Sequence, residues 1–331
     1  MRCDGADAMG ALKRILITGA NGFVGSAALR RARSDGIAVT ALYRRHRPEG
    51  WSDDPGITAA QLDLNDPASV DALRPLIAEC DAVIHAAAHL GGDKEAIARD
   101  TIRATSHLLD AMQPGSARLV LVSSIAVYDM MQLDRGSEVT ERCPLVDPAA
   151  PRDAYSAGKF EQERLVAARN RPAWLMRAGA VYGPGRTWHA LMGLWLGKLF
   201  VEVASDGALP MVHVDHLADA LLAAAARDPE GVEAVNVLDD DLPTRARYAG
   251  VHRAASGWPR LRLPIPYALW LGAARLAAPL RSSMPGLLRE DALRARMMPV
   301  TFSNARLRDR LGGRDRAPFE AMLKRSIEDA G

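Results

Sequence analysis

Cysteine is scarce in this chain. There are three in 331 residues, at positions 3, 80 and 143, a spread that fits neither a metal-binding nor a redox pair and favours a reducing, cytoplasmic setting. Surplus charge is missing too: a net +2 gives no reason to expect nucleic acid as a partner. No apolar run is long enough to span a bilayer, because the most apolar stretch, 267–280, is short and interrupted by Arg275, so no membrane partner is expected. The first dozen residues carry two acids before any apolar stretch; residues 1–12 read as a disordered tail, not a secretory signal, with Met9 as an alternative start. Internal repeats are absent. What remains, 48% apolar and 25% charged residues, is enough for one large core or two smaller ones.

Strand and helix patterns alternate. Strands are expected at 14–18, 38–43, 58–62, 82–85, 119–123, 173–177 and 235–238, with helices at 25–34, 67–78, 95–112, 155–169 and 216–226, the last capped by Asp215. That order predicts an α/β fold, a Rossmann-type doubly wound parallel sheet. After Tyr182 the chain turns richer in Pro, Trp and Met, with apolar helical patches at 191–199, 265–280 and 287–298. The expected division is a dinucleotide-binding domain over 13–182, with a returning segment near 211–238, and a smaller, mostly helical substrate lobe over 183–331.

Between the first strand and first helix lies Gly19-Ala20-Asn21-Gly22-Phe23-Val24-Gly25. Gly19 permits a tight turn, Gly22 lets backbone approach a diphosphate, and Gly25 allows close packing of helix on strand, which leaves phosphate at a helix amino end. Further on, the strand end Val122-Ser123-Ser124 precedes Tyr155-Ser156-Ala157-Gly158-Lys159. An i, i+4 pair shares one helix face, so the Lys159 ammonium can stand beside the Tyr155 phenol. A positive charge ~4 Å away at an effective dielectric of ~20 is worth ~4 kcal/mol, roughly three pK units, which would carry the phenol towards neutrality and make it a usable acid and base.

Thr-Gly-x-x-Gly-x-x-Gly, Ser124 four residues before Tyr128, and Tyr-x-x-x-Lys occur here in the order of the extended short-chain dehydrogenase/reductase family, which the chain resembles from about Lys13 to its end. Asp63-Leu64, the 83–88 segment ending in Ala86-Ala87-Ala88, the 177–185 segment, 212–215 and 304–312 extend the resemblance. It implies Ser124, Tyr155 and Lys159 as catalytic residues. It implies a dinucleotide held by Gly19, Asn21, Gly22, Phe23, Val24, Gly25, Asp63, Leu64, Ala86, Ala87, Ala88 and Ser123, with Ala178, Gly179 and Val181 lining the nicotinamide. At the end of the second strand Tyr43 stands where NAD-preferring proteins place a carboxylate, and Arg44 and Arg45 follow; two guanidinium groups with no acid in view favour NADP over NAD.

The substrate is expected to be a small molecule. Relatives acting on nucleotide sugars carry Arg-Asp-Phe where this chain has Leu209-Pro210-Met211, and Asn where it has Thr101; Thr101 and Arg44 resemble the dihydroflavonol-reductase and hydroxysteroid-dehydrogenase branch. A carbonyl reductase or alcohol dehydrogenase is therefore expected, with a nucleotide-sugar epimerase or dehydratase and a non-catalytic dinucleotide sensor as alternatives. Asp129 replaces the family's usual Gly after Tyr128. Trp188, His189, Met192, Trp195 and the 265–280 helix are expected to wall the substrate pocket. No metal site is expected: His85 and His89 leave a strand, and His213 and His216 flank a strand-to-helix junction. The family is compatible with a homodimer.

Overall fold

The computed structural model describes residues 12–276, apart from 114 and 116, and 286–329. The expected tail, Leu12 excepted, and residues 277–280 of the apolar stretch lie outside the described residues; Leu12 is buried against the core. Strands β1 (Arg14–Thr18), β2 (Ala38–Tyr43), β3 (Ile57–Gln61), β4 (Ala82–His85), β5 (Arg118–Ser124) and β6 (Ala173–Ala178) alternate with helices. These are α1 (Phe23–Ser34), α2 (Ser69–Ala78), α3 (Lys94–Ile97 continuing through a π-helical stretch, Ala98–Arg103, into Ala104–Ala111) and α4 (Ala154–Ala168). The chain then forms β7 (Gly193–Leu196) and β8 (Leu199–Ala204) outside the sheet and returns through α5 (Val214–Ala225) to β9 (Val232–Val237). It ends in α6 (Arg245–Ser256), β10 (Leu261–Pro266), α7 (Tyr267–Leu276), α8 (Glu290–Met297) and two short helices.

The large sheet runs β9-β6-β5-β4-β1-β2-β3, all parallel, so the seven expected strands form one Rossmann-type sheet with helices on both faces. β6 is buried at every position, as a central parallel strand must be when helices cover both faces. From β1 the chain winds outward to β3 and then crosses to β4 on the other side of β1. This reversal leaves a crevice beyond the carboxyl ends of β1 and β4, where ligands enter such sheets. Small residues bring α1 and α5 together over one face: Ala27 of α1 packs with Val214 and Ala218 of α5.

Two local expectations change. His213, not Asp215, caps α5: its ring accepts the backbone N–H of Asp215, because the helix begins two residues earlier than expected. The patch at 191–199 is not a helix. It holds a short turn and the β7–β8 hairpin, and with β10 it forms a three-stranded sheet inside an otherwise mostly helical lobe. Gly197, at φ +59, supplies the backbone conformation the hairpin turn needs. No helix among the described residues is long and apolar enough to cross a membrane.

Beneath the carboxyl end of the sheet lies a buried ion pair. Arg177 of β6 donates from Nε and Nη2 to the Glu163 carboxylate of α4 at 3.0 and 2.8 Å, and both side chains are 5% exposed. Burial pulls the guanidinium down, but the Glu163 pairing outweighs it and holds Arg177 above its ordinary value. Removing one partner strands the other charge: Glu163→Ala should cost about 3–5 kcal/mol in urea unfolding, and replacing both partners with apolar side chains of similar volume should cost far less. Equal losses for the single and double replacements would refute this account.

Candidate active site

The glycine-rich turn closes the carboxyl end of β1 against β4. Gly19 has φ +64, and a Cβ there would lie 3.0 Å from the Ala87 backbone. A Cβ on Gly25 would lie 2.1 Å from the Gly19 carbonyl, so Gly25 is required by the turn folding back on the helix. Gly22 is the amino cap of α1 with no side-chain cap bond, which leaves backbone N–H groups at the positive end of a twelve-residue helix. These features fit a diphosphate.

One cleft of about 640 Å³ opens from this turn. Gly19, Gly22, Phe23, Val24 and Gly25 line it, as do Ala86 and Ala88 after β4, Ser123 and Ser124 at the end of β5, and Ala178, Gly179 and Val181 after β6. Tyr155 and Lys159 of α4 face the same cleft. Asp153 caps α4 by accepting the Ser156 N–H at 2.8 Å, which places Tyr155 in the first turn and Lys159 one turn on. A Cβ is missing at Gly158 where Ile97 of α3 approaches, so α4 can lie close enough to bury Lys159.

The electrostatics differ from the expectation that Lys159 pulls the Tyr155 phenol towards neutrality. Burial raises the Tyr155 pKa, the polar Ser124 hydroxyl beside it opposes this, and the Asp153 charge raises it further. The reason is where the ammonium points: Lys159 Nζ donates to the Val122 carbonyl and to Gln162 Oε1, both at 2.9 Å. Burial lowers Lys159 to about 8, against the negative charge of Glu163, which raises it. Ser123, expected at the cofactor, also donates its hydroxyl to Glu163 at 2.6 Å.

His85 lies under the cleft, fully buried, with Nδ1 2.7 Å from Thr18 Oγ1 and Nε2 2.9 Å from Thr105 Oγ1. Thr105 spends its own hydrogen on the Thr101 carbonyl at 2.6 Å, so His85 Nε2 must carry the proton that Thr105 accepts, and Nδ1 accepts from Thr18. The ring is therefore a neutral Nε2–H tautomer, and burial, helped by the Lys159 charge, lowers its pKa to about 3.

The NADP reading rested on Arg44 and Arg45 standing clear of any acid. Arg45 is exposed, but Arg44 Nη1 is 3.0 Å from Asp100, which Arg99 and Asn65 also engage. Asp100 comes from the π-helical part of α3, 56 residues away, where no reading of the second strand could find it. Arg99 comes first among the causes that lower its pKa to about 2, so it stays an anion. Asp63 accepts from Asn65 at 3.0 Å and is exposed, Asn21 donates to the His46 carbonyl at 3.1 Å, and the Leu64 side chain is buried in the core. Asn21, Arg44, Arg45, Asp63, Leu64 and Ala87 stand outside the cleft wall.

The opposite wall is not the expected one. Trp188 packs with Trp195, Phe200, Tyr248, His252 and Trp258 in an aromatic cluster, Met192 is fully buried, and α7 packs beside β8 and β10. Among the described residues of the expected wall, only His189 lines the cleft; Leu90, Ile125, Met130, Leu191, Met298 and Phe302 supply apolar surface. Arg186, 4.6 Å over the Phe23 ring, and Arg296 bring positive charge, and neither has a carboxylate partner among the described residues. His213 and His216 do not face this cleft. His216 lies 2.8 Å from Asp239 and 3.5 Å from Asp315, and its Nε2 accepts the Arg316 backbone N–H, so the cluster is satisfied by the chain's own groups.

Residues 15–237 match the NAD dependent epimerase/dehydratase family, and the chain belongs to it. It is an NAD(P)-dependent enzyme of the extended short-chain dehydrogenase/reductase type. It is 29% identical over 273 residues to a 3-diazoavenalumate denitrifying reductase of a Streptomyces species, covering 77% of this chain and 85% of that protein. It is 32% identical over 225 residues to dTDP-4-dehydrorhamnose reductase of Mycobacterium tuberculosis, covering 65% and 67%. Among solved structures, MoeE5 in complex with UDP-glucose and NAD superposes with a TM-score of 0.68 at 22% identity, over 95% of this chain and 97% of that one. The terminal R domain of the myxalamid biosynthetic pathway does so with a TM-score of 0.70 at 24% identity, over 97% and 90%. These two structures share the fold.

The tautomer of His85 has a consequence for acid stability. Above about pH 6.5 neither the folded nor the unfolded chain protonates this ring, and it adds no pH dependence. Below that the unfolded chain takes up a proton the folded one refuses until about pH 3. Unfolding is then favoured by up to about 1.4 kcal/mol for each unit of acidification across that window. The His85 ring should show no titration in NMR between about pH 7 and 5; a midpoint near the ordinary histidine value of about 6.5 would contradict the tautomer.

Proposed function

We propose that the chain is an NADP(H)-dependent oxidoreductase that interconverts a carbonyl compound and its secondary alcohol. The observation that carries this reading is the convergence of Ser124, Tyr155 and Lys159 on the wall of one cleft with the glycine-rich turn. The bound nicotinamide supplies or accepts the hydride. Ser124 and Tyr155 hold the substrate oxygen, and Tyr155 gives it a proton in reduction. The raised Tyr155 pKa suits that direction, since the phenol is protonated at neutral pH and ready to donate. The Lys159 ammonium stabilises negative charge on that oxygen and holds the nicotinamide ribose. The similarity to two reductases supports reduction as the direction.

Gly19, Gly22 and Gly25 would cradle the diphosphate, with Arg186 adding charge beside the helix end. Arg44 and Arg45 would meet the 2′-phosphate, Arg44 by leaving Asp100. Asp63 and the Leu64 main chain would contact the adenine, and Ala86 and Ala88 with Ala178, Gly179 and Val181 would line the dinucleotide. A second reading, a nucleotide-diphosphate sugar as substrate, is favoured by Arg186 and Arg296, whose charges have no carboxylate partner among the described residues. Micromolar binding of thymidine, uridine or guanosine diphosphate to the cofactor-loaded protein would move the assignment to that reading.

Tyr155→Phe removes only the hydroxyl. It should lower turnover by about 10²–10⁴ in a panel of ketone substrates and leave cofactor affinity nearly intact. Undiminished turnover would exclude the Ser-Tyr-Lys assignment. NADPH should bind more tightly than NADH, and Arg44→Ala should weaken NADPH alone, by about 1.5 kcal/mol; the value sits at the low end for a charge-assisted contact because Asp100 competes for the guanidinium. Calorimetry measures both affinities, and equal binding of the two cofactors to the unaltered protein would refute the preference.

A further inference from the structure

Gln162 follows Lys159 by three residues on α4 and is fully buried. Its amide is anchored at both ends: Oε1 accepts from Lys159 Nζ at 2.9 Å, and Nε2 donates to Thr105 Oγ1 at 2.7 Å. The opposite orientation would set an NH₂ group against the ammonium. Thr105 also receives the His85 Nε2–H, and His85 receives the Thr18 hydroxyl hydrogen, while Thr18 Oγ1 accepts the Ala87 N–H at 3.1 Å. A continuous buried chain of hydrogen bonds thus runs from the lysine to the residue that opens the glycine-rich turn, and Gln162 is its link to Lys159.

We infer that Gln162 is a positioning residue for Lys159, whose side-chain oxygen, with the Val122 carbonyl, holds the ammonium charged and leaves its third N–H for the cleft. This rests on the Tyr155–Lys159 reading proposed above. The other charged and titratable groups around Lys159 do not replace it. Glu163 is committed to Arg177 and Ser123, His85 is neutral, Tyr155 is a protonated phenol, and Asp153 is paired with Arg152 at 2.9 Å. On α3, Arg99 and Arg103 are exposed and Asp100 is held by Arg99 and Arg44. Among side chains, Gln162 alone accepts a hydrogen bond from the ammonium in the described structure.

The test reads the lysine directly. The chain has five lysines, so protein labelled with ¹³C at the lysine ε-carbon gives few resonances, and Lys159→Arg assigns the one of interest. Titration of the full-length protein should place the Lys159 midpoint below the ordinary lysine value of about 10.4. Gln162→Met, which keeps the shape and loses the acceptor, should lower it by about one unit further, and Gln162→Glu should raise it by at least about one unit. The basic limb of the kcat/KM profile for ketone reduction should move in the same direction in each variant. A merely structural glutamine would lower activity at all pH values without moving the lysine. Midpoints within about 0.3 unit of the parent in both variants would overturn the inference. Should Gln162→Met lack a cooperative melt, Gln162→Glu decides alone, an unmoved midpoint again overturning it. The NMR midpoint needs no turnover, so failure of the Ser-Tyr-Lys reading, revealed by an active Tyr155→Phe, is separable from failure of this one.

Discussion

A lysine ammonium buried between a parallel sheet and a helix is costly unless acceptors meet it, and much of this structure is arranged around that one charge. Lys159 is buried because Gly158 lets α4 approach α3 and because β5 ends beside it. Its two acceptors are neutral: a main-chain carbonyl at the end of β5 and an amide oxygen on its own helix. Neutral acceptors satisfy the hydrogen bonds without cancelling the charge. The field of the ammonium therefore remains available to whatever negative charge develops in the cleft.

A neighbouring carboxylate could have cancelled it. Glu163 is the next residue after Gln162, and its charge does act on Lys159. Both of its oxygens are instead taken up by the Arg177 fork and the Ser123 hydroxyl, and Arg177 is braced by the Tyr128 hydroxyl at 3.0 Å. Tyr128 in turn donates to Asn236 of β9 at 2.6 Å. The buried pair thus ties β5, α4, β6 and β9 together and keeps an acid from closing on the lysine. Stability and the charge state of the site draw on the same residues.

The fold was legible because each strand of a doubly wound sheet is a short apolar run bounded by a turn, and all seven runs were visible. The glycine-rich turn, Ser124, Tyr155 and Lys159 were legible because they are local patterns with a physical reason for their spacing. The hairpin at 193–204 was missed because short apolar runs do not distinguish helix from strand; Gly197-Lys198 between leucine-rich segments was the signal that pointed to it. The wall of the substrate side was misplaced because aromatic residues near a turn look alike whether they face a ligand or, like Trp188, one another. Gln162, Thr105 and Asp100 were beyond reach for another reason. Their importance comes from partners on other elements, 57 residues apart in the Gln162–Thr105 contact, and no local pattern encodes that.

Asp100 shows how such a distant partner changes the meaning of a readable motif. Alone, Arg44 is a cation waiting for a phosphate; paired with Asp100 it is part of a small charge cluster that also holds Arg99 and Asn65. A 2′-phosphate must compete with a carboxylate for the guanidinium, and a ribose hydroxyl need not. Asp100 is shared by two arginines, Arg45 is exposed beside them, and Asp63 joins the cluster through Asn65. A dianionic phosphate would gain more from Arg44 and Arg45 than a neutral hydroxyl can, which is the physical ground of the NADP preference proposed above, with Asp100 limiting its size.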